Sequence, residues 1–198
     1  MDPRPSVVVL AGPNGAGKST SAPLLLGGAL PEVRQFINAD DIALERSPSN
    51  PEAAAVAAGR EMLSRLHELA RQRESFAFET TLATRHFAAW LEGLLRSGYS
   101  VHIVFLWLPS PEVARERVER RVIEGGHDVP ESIVRRRYRR GLRNFFDLYQ
   151  PLATTWQMYD NSVGSAPLLI AAGSGRTVDS VSDPRIWAEI QAGAYGIR

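Results

Sequence analysis

The 198-residue chain is long enough to bury one hydrophobic core, and its 44% hydrophobic and 23% charged residues are ordinary for a globular protein. A formal net charge of +1 gives no overall attraction to nucleic acid or to a membrane surface. There is no cysteine, which excludes disulfides and thiolate metal sites. The first residues lack an apolar signal segment, and the apolar run at 101–108 is too short to span a bilayer. We therefore expect one cytoplasmic domain over residues 1–198, without a membrane or nucleic-acid partner.

A glycine-rich stretch near the N-terminus fits the pattern G-x-x-x-x-G-K-[ST] at every fixed position. The β-branched run at 6–11 before it predicts a buried strand, and residues 20–26 after it can form a helix. Backbone N–H groups of such a turn surround an anion, Lys18 adds a charge near the β- and γ-phosphates, and the Ser19 hydroxyl is placed to ligate Mg²⁺. The sequence therefore predicts a nucleoside triphosphate site. Its residues are Gly12, Pro13, Asn14, Gly15, Ala16, Gly17, Lys18, Ser19 and Thr20.

Strands and helices alternate along the rest of the chain. The predicted strands lie at 34–41, 75–78, 100–108, 155–159 and 168–172. The predicted helices cover about 51–73 and 85–96, and two more begin at 111 and 131. This alternation predicts an α/β fold of the P-loop NTPase type, similar to nucleotide kinases, with a parallel sheet flanked by helices. Ligands of such sheets bind beyond the carboxyl ends of the strands.

Three carboxylates follow predicted strands at that edge. Asp40 and Asp41 close the second strand, and Glu79 closes the third. A carboxylate facing the γ-phosphate can ligate Mg²⁺ or accept the proton of an attacking hydroxyl. The structural alternative is that Asp40 or Asp41 caps the next helix, and we expect Asp41 to be that cap or a minor partner in the site. For Glu79 the alternative is a hydrogen bond to the following backbone, and we favour a substrate or magnesium role.

Ten arginines lie between residues 112 and 143, on both sides of a polar, glycine-rich loop at 124–130. A charge run of this kind is often a solvated helix face. Two helices with arginines around a glycine loop are also how a small kinase builds a lid, which brings cations onto the transferring phosphoryl group and excludes water. We predict a helical lid at about 121–140, with two or three catalytic arginines.

The motifs together resemble the zeta-toxin-like family of P-loop kinases in its short bacterial form. The matching pieces are the phosphate loop at 12–20, Ile-Asn-Ala-Asp-Asp-Ile-Ala at 37–43, Phe-Glu-Thr-Thr-Leu at 78–82, Gly-Gly-His-Asp-Val-Pro at 125–130, Arg-Arg-Arg-Tyr at 135–138 and Tyr-Asp-Asn-Ser at 159–162. The resemblance implies a phosphotransferase that uses ATP and Mg²⁺. In the toxin members the acceptor is a hydroxyl of UDP-N-acetylglucosamine, and an antitoxin protein is a possible partner.

The resemblance also implies roles for particular residues. Asp40 falls where the family has its catalytic base, and Glu79 and Thr81 fall where the family contacts substrate. Arg120 or Arg121 falls at the arginine before the lid.

One lid position departs from the toxin pattern. His127, which we expect on the substrate side, stands where the toxin branch has an arginine, and histidine is only partly charged near neutral pH. Arg136 or Arg137 can supply the missing charge, and we assign it to Arg136.

The sequence thus predicts an ATP-dependent kinase acting on a hydroxyl of a small, nucleotide-linked metabolite. The alternative is a nucleotide-dependent ATPase or switch that acts on a protein partner, because the apolar strand ending at Glu79 could carry a water-orienting acid. A third hypothesis, that the arginine-rich helix binds nucleic acid, has less support, since the outer face of this helix lacks interleaved aromatic residues.

Overall fold

The fold is taken from a computed structural model, which describes residues 4–27, 33–126, 128–163 and 166–196. Seven strands of the described residues form one sheet in the order β2-β3-β1-β4-β5-β6-β7. The strands are β1 Ser6–Ala11, β2 Gln35–Ile37, β3 Phe76–Thr80, β4 Ser100–Trp107, β5 Thr155–Asp160, β6 Leu168–Ser174 and β7 Thr177–Val181. The helices are α1 Lys18–Leu26, α2 Ala39–Arg46, α3 Pro51–Arg71, α4 His86–Arg96, α5 Pro111–Ile123, α6 Glu131–Asn144 and α7 Pro184–Tyr195. A π-helical segment, Phe145–Tyr149, continues α6.

The first five strands are parallel, as the alternation of strands and helices predicts. β1 is buried at every position, because it lies between β3 and β4 with helices on both faces. The carboxyl ends of β1, β3, β4 and β5 therefore meet at one edge of the sheet. The prediction of an α/β P-loop fold is confirmed.

The far edge of the sheet differs from the prediction. β6 pairs with β5 antiparallel, and β7 pairs antiparallel with β6, so the sheet is mixed. The sequence predicted a strand near 168–172 but missed β7 and α7. β7 is exposed along its whole length, so it lacks the apolar alternation by which a half-buried strand is recognised.

The second predicted strand was too long. β2 ends at Ile37, and residues 39–46 form α2 instead of continuing the strand. Asn38 is the N-cap of α2, because its Oδ1 accepts a hydrogen bond of 2.9 Å from the Asp40 N–H. The alternative that Asp40 or Asp41 caps this helix was therefore wrong.

Helix α6 crosses the edge at which the parallel strands end. Val134, near its start, belongs to the core on one face of the sheet, together with β1 residues Val8 and Leu10. Leu142, near its end, belongs to the core on the opposite face. The Tyr138 hydroxyl donates a 2.6 Å hydrogen bond to the Leu108 carbonyl just beyond β4. α6 therefore passes directly over the carboxyl ends of the strands.

Within the described ranges, the structure contains no helix with both the length and the apolar content needed to cross a membrane.

Candidate active site

The predicted phosphate loop connects β1 to α1 and has the expected strand–turn–helix shape. Gly12 has φ of +141°, and a Cβ there would lie 2.4 Å from the Leu106 carbonyl oxygen of β4. Gly17 has φ of +75°, and its Cβ would lie 2.8 Å from Nδ2 of Asn161. Only glycine fits these two positions without a shift of the neighbouring atoms. The loop thus packs against β4 and the residues after β5.

An open cleft of about 490 Å³ lies beside this loop. It is lined by Asn14, Gly15, Gly17, Lys18, Ser19, Thr20, Ser21, Asp40, Glu79, Arg117, Arg120, Arg121, Glu124 and Asn161. The structure therefore brings most of the predicted nucleotide, carboxylate and arginine residues to one place. The N-terminus of α1, where backbone N–H groups lack helical partners, opens into the same region.

Lys18, Ser19, Asn38 and Glu79 form a hydrogen-bonded network at the base of the cleft. Ser19 Oγ donates a 2.7 Å hydrogen bond to Glu79 Oε2. Asn38 Nδ2 lies 3.3 Å from both of those oxygens. The Lys18 ammonium lies 3.5 Å from Glu79 Oε1 and donates a 2.9 Å hydrogen bond to the Pro13 carbonyl. The end of β3 and the start of α1 are thus joined through the Glu79 carboxylate.

Burial, together with the charges in the cleft, shifts the pKa of Lys18, whose side chain is only 6% exposed. Burial lowers the Lys18 pKa, the carboxylates of Glu79 and Asp40 raise it in part, and the nearby Arg121 lowers it further. The pKa of Asp41 is raised, mainly by burial and also by the nearby carboxylates of Glu79 and Asp40. Negative charge therefore concentrates beside the phosphate loop, close to the cations.

Asp40 lies in the first turn of α2 and lines the cleft, where its side chain is exposed. Its backbone N–H is held by Asn38, which fixes the start of the helix. Asp41, one position further along the helix, does not line the cleft. A carboxylate in the position of Asp40 can reach a molecule in the cleft without breaking a hydrogen bond that holds the fold.

The predicted lid arginines divide into two groups. Arg120 and Arg121, near the end of α5, line the cleft. Arg136 is exposed on α6 and does not line it. Its neighbour Arg137 is half-buried and donates a 3.3 Å hydrogen bond from Nη1 to Asn14 Oδ1 of the phosphate loop. Burial lowers the pKa of Arg137 and the Asp40 carboxylate raises it in part, which places this guanidinium near Asp40.

Two other predicted substrate residues, His127 and Thr81, differ in what the structure describes. His127 lies outside the described residues. Thr81 does not line the cleft. Its carbonyl oxygen would lie 2.3 Å from a Cβ placed on Gly141 of α6, so the Thr81 backbone packs directly against that helix.

Sequence reasoning missed the role of two cleft residues, Arg117 and Asn161. The Arg117 guanidinium donates to the carbonyls of Asn161 and Ser162 at 2.7 and 2.8 Å. Asn161 Nδ2 donates a 2.7 Å hydrogen bond to the Ala16 carbonyl in the phosphate loop. In the sequence, Asn161 is only part of the matching piece at 159–162 and Arg117 is one of ten arginines between residues 112 and 143, so neither set of contacts was predicted. Their contacts link α5, the end of β5 and the phosphate loop.

The oxygen ligands beside the phosphate loop fit Mg²⁺. Ser19 offers a hydroxyl and Glu79 a carboxylate, whose oxygens are already 2.7 Å apart. Hard oxygen donors are the ligands Mg²⁺ prefers, and it is usually held by one or two of them together with substrate phosphates and water. Among the described residues no cluster of three or more His, Asp or Glu side chains forms a cage of its own. This donor set suits a cation that enters with a phosphorylated ligand.

The sequence profile of the zeta toxin family matches residues 1–162. The chain belongs to the zeta toxin family. It is also 31% identical over 131 residues to an uncharacterised protein of Haemophilus influenzae, an alignment that covers 66% of this chain and 91% of that protein.

Solved structures share the fold of this zeta toxin family member at low sequence identity. The AvrRxo1-ORF1:-ORF2 complex with ATP has a TM-score of 0.68 at 17% identity, covering 96% of this chain but only 64% of that one. The PezAT toxin–antitoxin system of Streptococcus pneumoniae has a TM-score of 0.61 at 17% identity, covering 99% and 80%. A gluconokinase from Sinorhizobium meliloti has a TM-score of 0.51 at 17% identity, covering 98% and 93%. The fold is that of P-loop kinases.

Proposed function

We propose that this zeta toxin family member is an ATP- and Mg²⁺-dependent kinase that phosphorylates a hydroxyl of a small, nucleotide-linked metabolite. The observation that carries the proposal is the cleft itself, which brings the phosphate-loop lysine, two carboxylates and several arginines together. In this proposal residues 1–198 form a single domain, with a lid at about 121–140.

ATP binds with its phosphates on the phosphate loop. Backbone N–H groups of the loop and of the start of α1 surround the phosphates, and Lys18 turns from the Pro13 carbonyl toward them. Asn161 and Arg117 hold the loop in its bound shape through the Ala16 carbonyl and the backbone after β5. These contacts preorganise the site, which reduces the ordering cost of binding.

Ser19 and Glu79 are the residues that would hold Mg²⁺. When bound, the ion neutralises phosphate charge and orients the γ-phosphoryl group for transfer.

Asp40 accepts the proton of the acceptor hydroxyl during transfer. The bond between the γ-phosphorus and its bridging oxygen breaks, and a new bond forms from the acceptor oxygen to that phosphorus. ADP leaves, and the hydroxyl proton passes to the Asp40 carboxylate. Arg120, Arg121 and Arg137 neutralise charge on the phosphoryl oxygens, and positioning with electrostatic stabilisation supplies most of the rate.

We infer the acceptor and the partner from the family resemblance. A UDP-sugar such as UDP-N-acetylglucosamine is the acceptor that the resemblance implies. Two similar structures support a protein partner, because one is a toxin–antitoxin system and the other is a complex of two proteins, AvrRxo1-ORF1 and -ORF2. We therefore include an antitoxin among the expected partners.

The test is turnover of Mg·ATP by the purified protein with and without a panel of UDP-sugars, followed by mass spectrometry of the sugars. The proposal expects one sugar nucleotide to gain a phosphate in step with ADP release. ADP release that no sugar changes, with every sugar recovered unmodified, would contradict the proposed acceptor class and favour an ATPase or switch.

A further inference from the structure

A turn that begins at the last residue of β3 and covers residues 80–84 holds a residue in an unfavourable backbone conformation. Leu82 has φ of +54° and is fully buried. This left-handed conformation is uncommon for a residue that carries a Cβ, and such outliers persist only where surrounding contacts hold them. Inside the turn, the Leu82 N–H donates a 3.2 Å hydrogen bond to Thr80 Oγ1. The turn directly follows Glu79, which binds Lys18 and Ser19 in the cleft.

The contacts that hold this turn from outside come from α6 and its π-helical continuation. Asn144 Nδ2 donates a 2.8 Å hydrogen bond to the Leu82 carbonyl. The Thr81 carbonyl packs on Gly141, one helical turn earlier, at a distance that leaves no room for a Cβ. The Tyr149 hydroxyl donates a 2.6 Å hydrogen bond to the carbonyl of Thr84. Three positions of one helical segment, at 141, 144 and 149, thus fix the turn. π-helical segments occur often at functional sites.

The same helix also reaches the phosphate loop. Arg137 lies four residues before Gly141, on the same side of α6, and its guanidinium bonds to Asn14. α6 therefore contacts the loop proposed to bind ATP and the turn that follows Glu79. A single rigid element sets the distance between these two parts of the cleft.

We propose that Asn144 is a positioning residue for phosphoryl transfer, which rests on the proposed function. It touches neither nucleotide nor acceptor. Asn144 acts through the Leu82 carbonyl, by holding the 80–84 turn and with it the Glu79 carboxylate at a fixed place relative to the phosphate loop. Without this hydrogen bond Leu82 is free to leave the left-handed conformation, and the end of β3 shifts. ATP still binds, but the acceptor hydroxyl is no longer aligned with the γ-phosphorus.

The test compares wild type with Asn144→Ala and Asn144→Asp. The second variant keeps the shape of the side chain but removes the N–H donor. The main readout is the ratio of phosphorylated UDP-N-acetylglucosamine to ADP formed. We expect this ratio to fall about tenfold in both variants, while the Kd for ATP stays within about twofold of wild type. A variant that is merely less folded would lose both products in parallel and keep the ratio unchanged.

The matched control is Asn50→Ala. Asn50 caps α3 through a 3.2 Å hydrogen bond from the Ala53 N–H, so this variant loses an asparagine hydrogen bond that does not contact the cleft. Its ratio should equal that of wild type. Hydrogen exchange of the amides at 82–84 gives a second readout, which needs no turnover. Exchange should become faster in the two Asn144 variants and stay unchanged in the control.

The outcomes separate the two proposals. A wild-type ratio retained by both Asn144 variants overturns the positioning role and leaves the kinase proposal intact. If wild type phosphorylates no sugar, the proposed acceptor fails, and exchange alone decides whether Asn144 holds the turn. Unchanged protection of residues 82–84 in the variants would then overturn that role as well.

Discussion

Replacing Asn161 with alanine tests whether the phosphate loop is held in a binding-ready shape from outside. The variant removes a 2.7 Å hydrogen bond to the Ala16 carbonyl and a weaker contact of 3.5 Å to Ser21 Oγ. One such bond contributes about 1 kcal/mol net, and about 1.4 kcal/mol corresponds to a tenfold change in an equilibrium constant. If the loss of this bond opens the loop in the free protein, the Kd for Mg·ATP should rise by about fivefold.

Calorimetric titration with Mg·ATP measures whether the variant binds ATP more weakly, and denaturant unfolding of the same samples measures whether it is less stable. Arg117→Ala should weaken binding by the same route, because Arg117 holds the backbone carbonyls of Asn161 and Ser162. The double variant should therefore show an interaction energy of about 0.5 kcal/mol or more in a thermodynamic cycle. Unchanged ATP affinity together with lower stability would show that Asn161 does not preorganise the loop for ATP, because the bond would then be equally formed in the free and bound states.

Three further predictions concern single residues elsewhere in the molecule. Lys18 is the only lysine of the chain, so an amine-directed reagent should modify no other side chain. Mg·ATP should slow the modification of Lys18, and the same rate with and without Mg·ATP would argue against contact between Lys18 and the phosphates. Burial lowers the pKa of His102 in the folded protein. The free energy of unfolding should therefore be unaffected by His102 above the ordinary histidine pKa of about 6.5 and should fall at lower pH, because the unfolded chain then binds more protons. The free energy of unfolding of His102→Gln should lack that pH dependence. The same pH profile in the variant and in wild type would show that His102 is not its source. Gly141→Ala should lower the free energy of unfolding by about 1–3 kcal/mol because its Cβ meets the Thr81 carbonyl, whereas Gly59→Ala, in open space within a helix, should raise it by about 0.5–1 kcal/mol.

The parts of the site that follow from local sequence were predictable. The phosphate loop, the strand before it and the helix after it are fixed by neighbouring residues, so their pattern was sufficient. The place where β3 ends was predictable to within two residues, since the apolar run stops at residue 78 and β3 ends at Thr80. α2 was missed because an eight-residue helix with two acids in its first turn lacks a strong apolar stripe, and the preceding strand masked its start.

The remaining features depend on contacts between distant residues. Neighbouring residues on a helix point about 100° apart, so a small error in helix phase exchanges Arg136 for Arg137, and only the packing of α6 decides which one reaches Asn14. The bond from Asn161 to Ala16 joins residues far apart in the chain, and no local pattern distinguishes it from an ordinary turn asparagine. β6 pairs with β5 antiparallel although the preceding strands are parallel, and the alternation of strands and helices does not predict this pairing.

The most direct test of the account is a single-turnover measurement of phosphoryl transfer from γ-labelled ATP to UDP-N-acetylglucosamine by wild type, Asp40→Asn and Asp41→Asn. Both substitutions remove one negative charge from the first turn of α2, but only Asp40 lines the cleft. With Asp40 as the base, we expect rapid labelling of the sugar nucleotide by wild type and Asp41→Asn, and a loss of about 100-fold or more in Asp40→Asn with ATP affinity nearly unchanged. Transfer by Asp40→Asn at the wild-type rate would show that this carboxylate is not the base and contradict the proposed mechanism.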